Sequence, residues 1–313
     1  MRPTLRQMQY LIAIAETGKF GDAARLVNVS QPSLSAQVAE MEAGLGVILI
    51  ERSRRGALLT PAGEELVRRA RNILRDVEDL RAVAKLGRAD LSGRLRLGVL
   101  PTVGPYLLPQ ATGELRARFP GLRLSVREER TVDLDDHLQA GLFDTVISTP
   151  ADHQEAAHIH LFTERLYVCA PPEDALAQAE GPVSLEALKD RPLLTLGQGH
   201  RLSAITQDLA TASGAVVSSE YEGTSLDAIR LMSQMGAGVA ILPSLYALSE
   251  ARRDRGLNIR MIDHSLARRD ISLVWRDTSP LAASLSALAV SLRGAAEGIL
   301  KNEAEIYGAS AKL

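Results

Sequence analysis

The chain has 313 residues, 46% hydrophobic and 24% charged, with 36 basic against 38 acidic side chains and a formal net charge of -2. That length supports two or three domains with real apolar cores, and the composition excludes intrinsic disorder and fibrous repeats. The near-neutral total also excludes a uniformly basic nucleic-acid coat, though not a basic face confined to one domain.

The charge is uneven along the chain. Residues 1–90 carry 14 Lys/Arg and 11 Asp/Glu, and the remainder carries 22 and 27. The sole cysteine, Cys169, excludes an intrachain disulfide and any CxxC metal or redox motif. Met1-Arg2-Pro3-Thr4 adjoins no long apolar stretch, so no signal peptide is expected. No uninterrupted apolar run approaches the roughly 20 residues of a membrane span. The expectation is a soluble cytoplasmic protein with no membrane association.

In chain order, Leu5, Met8, Leu11, Ile12 and Ala15 recur at helical spacing, which predicts a helix over 5–16 capped by Thr4. Phe20 to Leu26 reads as a short second helix, and Asn28-Val29 as a tight turn. Ser30 is then an N-cap, Pro32 sits in the first turn, and a third helix runs to about Ala43 with Leu34, Val38 and Met41 inward. Two short helices joined this way match a helix-turn-helix, a pattern that small helical bundles share. The second helix leaves Ser30, Gln31, Pro32, Ser33, Ser35 and Gln37 on exposed or initial positions. Gln can pair with an adenine edge, and Ser and backbone N–H groups can hold phosphate. Leu45 to Pro61 reads as a strand-turn-strand wing, with Arg52, Arg54 and Arg55 as phosphate or minor-groove candidates or as an ordinary solvated basic loop. Thr60-Pro61 opens a long helix to about Lys85 whose apolar stripe (Leu66, Ala70, Ile73, Leu74, Val77, Leu80, Val83-Ala84) calls for a second chain, hence a dimer on double-stranded DNA.

Gly87 to Gly93 reads as a linker. Beyond it the pattern turns to repeated β and α segments, with strands expected at 95–100, 122–127, 145–148, 167–170, 193–196, 239–243 and 271–275. Helices are expected at 106–119, from Thr131, from Arg201, at 227–235 and at 280–300, with a frayed tail after 300. His153, His158 and His160 cluster in a polar segment that reads as a solvated loop rather than a metal site. No nucleophile-base motif or phosphate loop appears, and Gly236-Ala237-Gly238 reads as a turn rather than a dinucleotide motif, so no enzyme and no cofactor are expected.

The N-terminal residues Ala23-Ala24-Arg25-Leu26, Ser30-Gln31-Pro32-Ser33-Leu34-Ser35, Glu42, Leu45-Gly46, Arg52 and Leu59-Thr60-Pro61-Ala62-Gly63 resemble the LysR-type transcriptional regulators. The resemblance covers nearly the whole chain. It implies a winged helix-turn-helix (all-α with a small β wing) plus a long linker helix, joined to an α/β two-lobed periplasmic-binding-protein-like effector domain. It also implies a homodimer through the linker helix, a homotetramer, contact with RNA polymerase, and use as activator or repressor. The implied boundaries are 1–60 for the DNA head, 61–88 for the linker helix, 89–93 for a hinge and 94–300 for the effector domain. Lobe one then spans 94–164 and 267–300, lobe two 165–266, with a flexible tail at 301–313.

Residues 98–109, Gly199-His200, Thr224-Ser225-Leu226 and 236–243 resemble the peroxide-sensing OxyR branch most. In that branch the reactive cysteine follows the Gly-His pair. Here that position is Arg201, the resolving position is Ala210, and the branch's aspartate is Ala204. A guanidinium cannot attack peroxide, so disulfide sensing is rejected. Cys169 reads as a packing residue, which leaves an oxidant response through it or a methionine as a lesser alternative. The favoured reading is reversible binding of a small effector between the lobes, an anion such as a carboxylate, lined by Thr102, Val103, Thr131, Thr149, His200, Arg201, Ser203, Thr224 and Arg276. The alternative is an effector-independent regulator in which Arg201 merely fills the cysteine site and pairs with a carboxylate such as Glu220 or Glu222. His200 then only orients its turn, and Arg276 only ties strand to lobe. A pure solute-binding protein would leave the first 90 residues unexplained.

Overall fold

The computed structural model describes residues 3–53, 56–85, 91, 93–219, 223, 225–254 and 257–301, without the side chains of 52, 53 and 78–85. Arg54, Arg55, Glu220, Glu222, Thr224, the side chains of Arg52, Leu80 and Val83, most of the expected linker and the tail from 302 lie outside that description. The chain divides into an N-terminal unit of residues 1–88 with 139–142 and a C-terminal unit of residues 89–138 and 143–313.

In the N-terminal unit, α1 (Leu5–Thr17) starts at a capping box. Thr4 Oγ1 accepts from Gln7 N–H, and the Gln7 side chain accepts from Thr4 N–H. A short α2 (Phe20–Leu26) leads to Asn28, whose φ of 56° makes the left-handed turn that asparagine tolerates. In α3 (Gln31–Leu45), Ser30 caps the start and Leu34, Val38 and Met41 are buried. The wing strands β1 (Ile50–Ser53) and β2 (Gly56–Leu59) pair with Ile50 opposite Leu59. They are shorter than the expected wing because the Glu42 carboxylate accepts from Leu49 and Ile50 N–H and holds the entry to β1 itself. Thr60 caps α4 (Pro61–Lys85), accepting from Gly63 N–H at 3.0 Å and donating to Ile48 O. A side chain at Gly63 would meet Leu49 O at 2.1 Å, so glycine is required there. Val67 and Ala70 on the first turns of α4 are buried in the head, whereas Ile73 is exposed.

The C-terminal unit is built on one continuous sheet. Its strands are β3 (Gly93–Val99), β4 (Leu122–Glu128), β5 (Thr145–Ser148), β6 (Ala156–Cys169), β7 (Pro192–Leu194), β8 (Val216–Val217), β9 (Val239–Pro243), β10 (Ile259–Met261) and β11 (Arg268–Arg276). They lie in the order β4, β3, β5, β11, β6, β9, β7, β8, with β10 also pairing β6. The helices are α5 (Gly104–Arg118), α6 (Thr131–Gln139), a short α7 (Ala175–Gln178), α8 (Arg201–Ser213), α9 (Leu226–Gln234), α10 (Ser244–Arg253) and α11 (Ala282–Leu300).

Two separate cores form on this sheet. One gathers Leu97, Leu107, Leu134, Ile147, Phe162, Leu273 and Leu288, and the other gathers Leu166, Val168, Leu193, Leu209, Ile241 and Tyr246. Strand β6 contributes to both, Phe162 to the first and Leu166 and Val168 to the second, and so does α10, through Leu245 and Tyr246. The lead into β11 crosses likewise, from Ala267 in the second to Ile271 in the first, so β6 and the segment 267–271 carry the chain between two lobes.

Two expectations are corrected and one unexpected element is added. Residues 156–166 are not a polar loop but the first part of the long strand β6, because their alternation is half exposed and pairs with β11. His153, expected in solvent, is 2% exposed. A helix, α10, follows β9 directly, with no polar break to announce it in sequence. Among the described residues one helix, α11, is long and apolar enough by length and composition to cross a membrane. Its apolar side, including Leu285, Leu288 and Leu292, is built into a lobe core.

Candidate functional site

On the head, Gln31, Pro32 and Ser33 are exposed at the start of α3, beside the exposed cap Ser30. A helix N-terminus with unobstructed small polar side chains is what major-groove entry needs. Ser35 and Gln37 are half-buried. Gln37 differs from its expected role, because its amide donates to Glu40 at 3.2 Å and accepts from Gln7 at 3.4 Å. It ties α3 to α1.

In the second unit the expected effector residues divide. Thr102, Thr131, Thr149 and His200 are buried. The N-terminus of α8 meets the other lobe at two points. Arg201 N–H donates to Thr131 Oγ1 at 3.0 Å, and its guanidinium Nη1 donates to Asp152 Oδ1 at 3.0 Å. Asp152 belongs to the short 3-10 turn Pro150–Asp152 that follows β5 and Thr149. Arg201 therefore joins lobe two to lobe one, with an aspartate as its partner among the described residues. Burial pushes the Asp152 carboxyl up from its ordinary range, against the opposing pull of Arg201, His153 and Arg269. Burial also lowers His200, helped by the Arg130 cation and opposed by Asp133. Ser203 is half-buried one turn into α8.

Val103 and Arg276 are placed elsewhere. Val103 is fully buried in a lobe core. Arg276 Nη1 donates to Leu138 O and Phe143 O, both at 2.8 Å, so it ties strand to lobe.

The sequence reading missed Asp152, Glu164 and Arg269. Glu164 and Arg269 are register partners at the point where β6 and β11 pass between the cores. Glu164 is 0% exposed and Arg269 5%. Arg269 Nε donates to Glu164 Oε2 at 2.7 Å and its Nη2 to Thr102 Oγ1 at 2.7 Å, while Glu164 Oε1 accepts from Leu245 N–H. The signal was available: Phe162, Glu164 and Leu166, like Ala267, Arg269 and Ile271, share the inward phase of a period-two strand. Asp152 carried no such signal, since a turn residue has no phase.

Beside His200 an open cleft of about 330 Å³ is lined by Pro101, Arg127, Glu128, Glu129, Arg130, Asp133 and His137. Its charges are mostly matched within the wall, Arg127 and His137 by Glu129, and Arg130 by Asp133. Among the described residues no group of three His, Cys, Asp or Glu could hold a metal. Cys169 is 0% exposed, and burial pushes its thiol up to about 11. It is a poor nucleophile.

Residues 5–64 match the family of bacterial regulatory helix-turn-helix proteins of the lysR type, and residues 88–297 match the LysR substrate binding domain. The chain is 36% identical over 295 residues to the DNA-binding transcriptional dual regulator OxyR of Escherichia coli K12, covering 94% of this chain and 96% of that protein. It is 34% identical over 278 residues to the hydrogen peroxide-inducible genes activator of Haemophilus influenzae, covering 88% and 92%. A full-length OxyR variant from Pseudomonas aeruginosa is similar in structure, with a TM-score of 0.74 at 32% identity over 93% of this chain and 97% of that one.

Proposed function

The chain belongs to the LysR family of DNA-binding transcriptional regulators, close to its OxyR branch but without that branch's cysteine pair, and from that premise we propose that its switch is the interlobe cleft at Arg201. The observation that carries this reading is the bridge itself. Arg201 stands where the branch has its reactive thiol, and it crosses the cleft to Thr131 and Asp152. A small molecule that favours the bridged over the unbridged arrangement would shift the balance between two lobe arrangements. His200 precedes Arg201 as the cap of α8, and Thr149 precedes the turn that carries Asp152.

On this reading the functional boundaries are a head at 1–60, a linker helix at 61–88, a hinge at 89–93 and an effector domain at 94–300. The head reads DNA through Ser30, Gln31, Pro32, Ser33 and Ser35, with Arg52, Arg54 and Arg55 supplying phosphate contacts. The exposed Ile73 on α4 supports pairing of linker helices in a homodimer, and two dimers form the homotetramer. Lobe movement changes the spacing of the heads on DNA and the access of RNA polymerase. The sequence-based preference for an anionic effector is weakened, because Asp152 balances Arg201 and Glu164 balances Arg269.

Footprinting the full-length protein on DNA upstream of its own gene tests this. Paired half-site protection is expected, falling on the order of a thousandfold in affinity between 50 and 200 mM salt. Asp152→Ala is expected to change the spacing or extent of protection. An unchanged footprint would contradict cleft control.

A further inference from the structure

The two outermost strands at one end of the sheet carry four arginines on one face. In the parallel pair of β3 and β4, Arg94 is the register partner of Arg123, Arg96 of Ser125 and Gly98 of Arg127. Register partners and alternate residues of a strand share a face. Arg94, Arg96, Arg123, Ser125 and Arg127 therefore stand together, and Glu128, the one acidic residue of either strand, has the opposite phase. The face is covered at Gly98, where a side chain would meet Leu134 and Phe143. It is uncovered at Arg94 and Arg123, which are both exposed. β4 ends the strand order, so its outer edge has no strand partner among the described residues.

Two of the four arginines are spent. Arg96 holds Asp144 through Nε and Nη2, at 3.2 and 2.7 Å, and Arg127 faces Glu129 at 2.9 Å. Arg94 and Arg123 have no carboxylate partner among the described residues. Like charges directly opposite each other destabilise a ladder. Residues 91–313 carry 22 basic against 27 acidic side chains, so a general excess of arginine does not account for the pair. Arg94 Nη2 donates to Ser125 Oγ at 3.0 Å. That contact carries the Arg94 guanidinium across to β4, beside Arg123, and leaves the Ser125 O–H to donate elsewhere.

The face thus offers two unmatched guanidinium forks and one hydroxyl, all of them donors. A fitting guest accepts on every side and brings close to two negative charges. A carboxylate or a phosphate diester brings one. A phosphate monoester brings about 1.5 to 2 at neutral pH, with three terminal oxygens, and arginine forks match its geometry.

We propose that Arg94, Arg123 and Ser125 form a binding site for the phosphate monoester group of a small ligand. The two guanidiniums grip phosphate oxygens from β3 and β4, and the Ser125 hydroxyl donates to a third. Roughly 16 Å of strand separates Arg94 from Val99 and Arg123 from Glu128. The cleft residues Thr102 and Thr131 lie beyond those far ends, so the site is separate from the cleft and does not depend on the reading of Arg201.

Methyl phosphate, dimethyl phosphate and acetate probe the charge requirement in calorimetric titrations of the full-length protein at fixed ionic strength. Methyl phosphate is expected to bind in the millimolar range or tighter, about fivefold or more better than the other two. It should weaken as pH falls below about 6, where a monoester loses its second charge. Arg94→Gln and Arg123→Gln change exposed side chains, and each is expected to weaken methyl phosphate about fivefold while the protein still melts cooperatively. Arg116→Gln, at an exposed arginine in the last turn of α5, should leave it unchanged. Dimethyl phosphate binding as tightly as methyl phosphate would overturn the proposal. So would the absence of saturable methyl phosphate binding, or binding untouched by both Arg94→Gln and Arg123→Gln. The same two variants, read on DNA, test the other source of phosphate. The salt slope of DNA binding is expected to stay as in the wild type. A slope reduced by about 1 in each variant would assign the pair to the DNA backbone and overturn the small-ligand site.

Discussion

On one side of the crossing between the lobes, Glu164 and Arg269 sit fully buried with their hydrogen bonds spent on each other, on Thr102 and on the Leu245 backbone. On the same side Tyr106 of α5 meets Tyr246 of α10 edge to face at 5.4 Å. On the cleft side, Arg201 and Asp152 make one hydrogen bond and leave a donor and an acceptor unused. Both sides join the same two lobes through an arginine and a carboxylate. The first is dry and saturated, which suits a pivot. The second is partly exposed and unsaturated, which suits a latch that opens.

The largest effects should therefore fall on the pivot. Glu164→Ala strands a buried guanidinium and is expected to cost about 3–5 kcal/mol in urea unfolding. The latch variant Arg201→Ala should cost about 1 kcal/mol or less, since its side chain is 36% exposed and solvent screens the pair. Equal losses at both positions would erase the distinction. Next in size is Tyr246→Phe. The hydroxyl donates to Asp227 and accepts from Arg230, so its loss should cost about 1–2 kcal/mol by the same measurement.

This contrast was only partly legible in the sequence. The helices of the head could be read because their apolar spacing and caps, Thr4, Ser30 and Thr60, are local signals. Arg201 could be singled out because it follows Gly199-His200, where the resemblance to the branch implies a thiol. Its partner could not, because Asp152 lies 49 residues away in a turn and only the tertiary fold joins them. Glu164 and Arg269 were readable from strand phase, yet paired charges on polar-looking segments suggest surface until the strands are known to be central. Gln37 looked free on the recognition helix, and only the packing of α1 against α3 reveals that its amide is spent.

Smaller tests sharpen the latch. His200 is neutral in the folded protein down to a lower pH than an ordinary histidine. A depressed pKa means the unfolded chain takes up the proton first, so this group's contribution is present above pH 6.5 and is lost as pH falls through the folded value. His200→Asn should flatten the fall of Tm on that acid side, and an unchanged profile would remove His200 from the latch. Least of all is expected from peroxide. Cys169 should stay unmodified by intact-mass analysis, and Met235, 82% exposed, should be the first described methionine to gain an oxygen. DNA affinity should not change, whereas oxidation of Cys169 with altered affinity would restore a redox switch.

The central claim is that Arg201 and Asp152 act as one unit in setting how the protein holds DNA. A double-mutant cycle on operator affinity and half-site protection, with Arg201→Ala, Asp152→Ala and both, measures this directly. The prediction is that each single variant shifts the footprint and the double variant shifts it no further than either alone. Additive shifts, or wild-type footprints in all three, would contradict the claim.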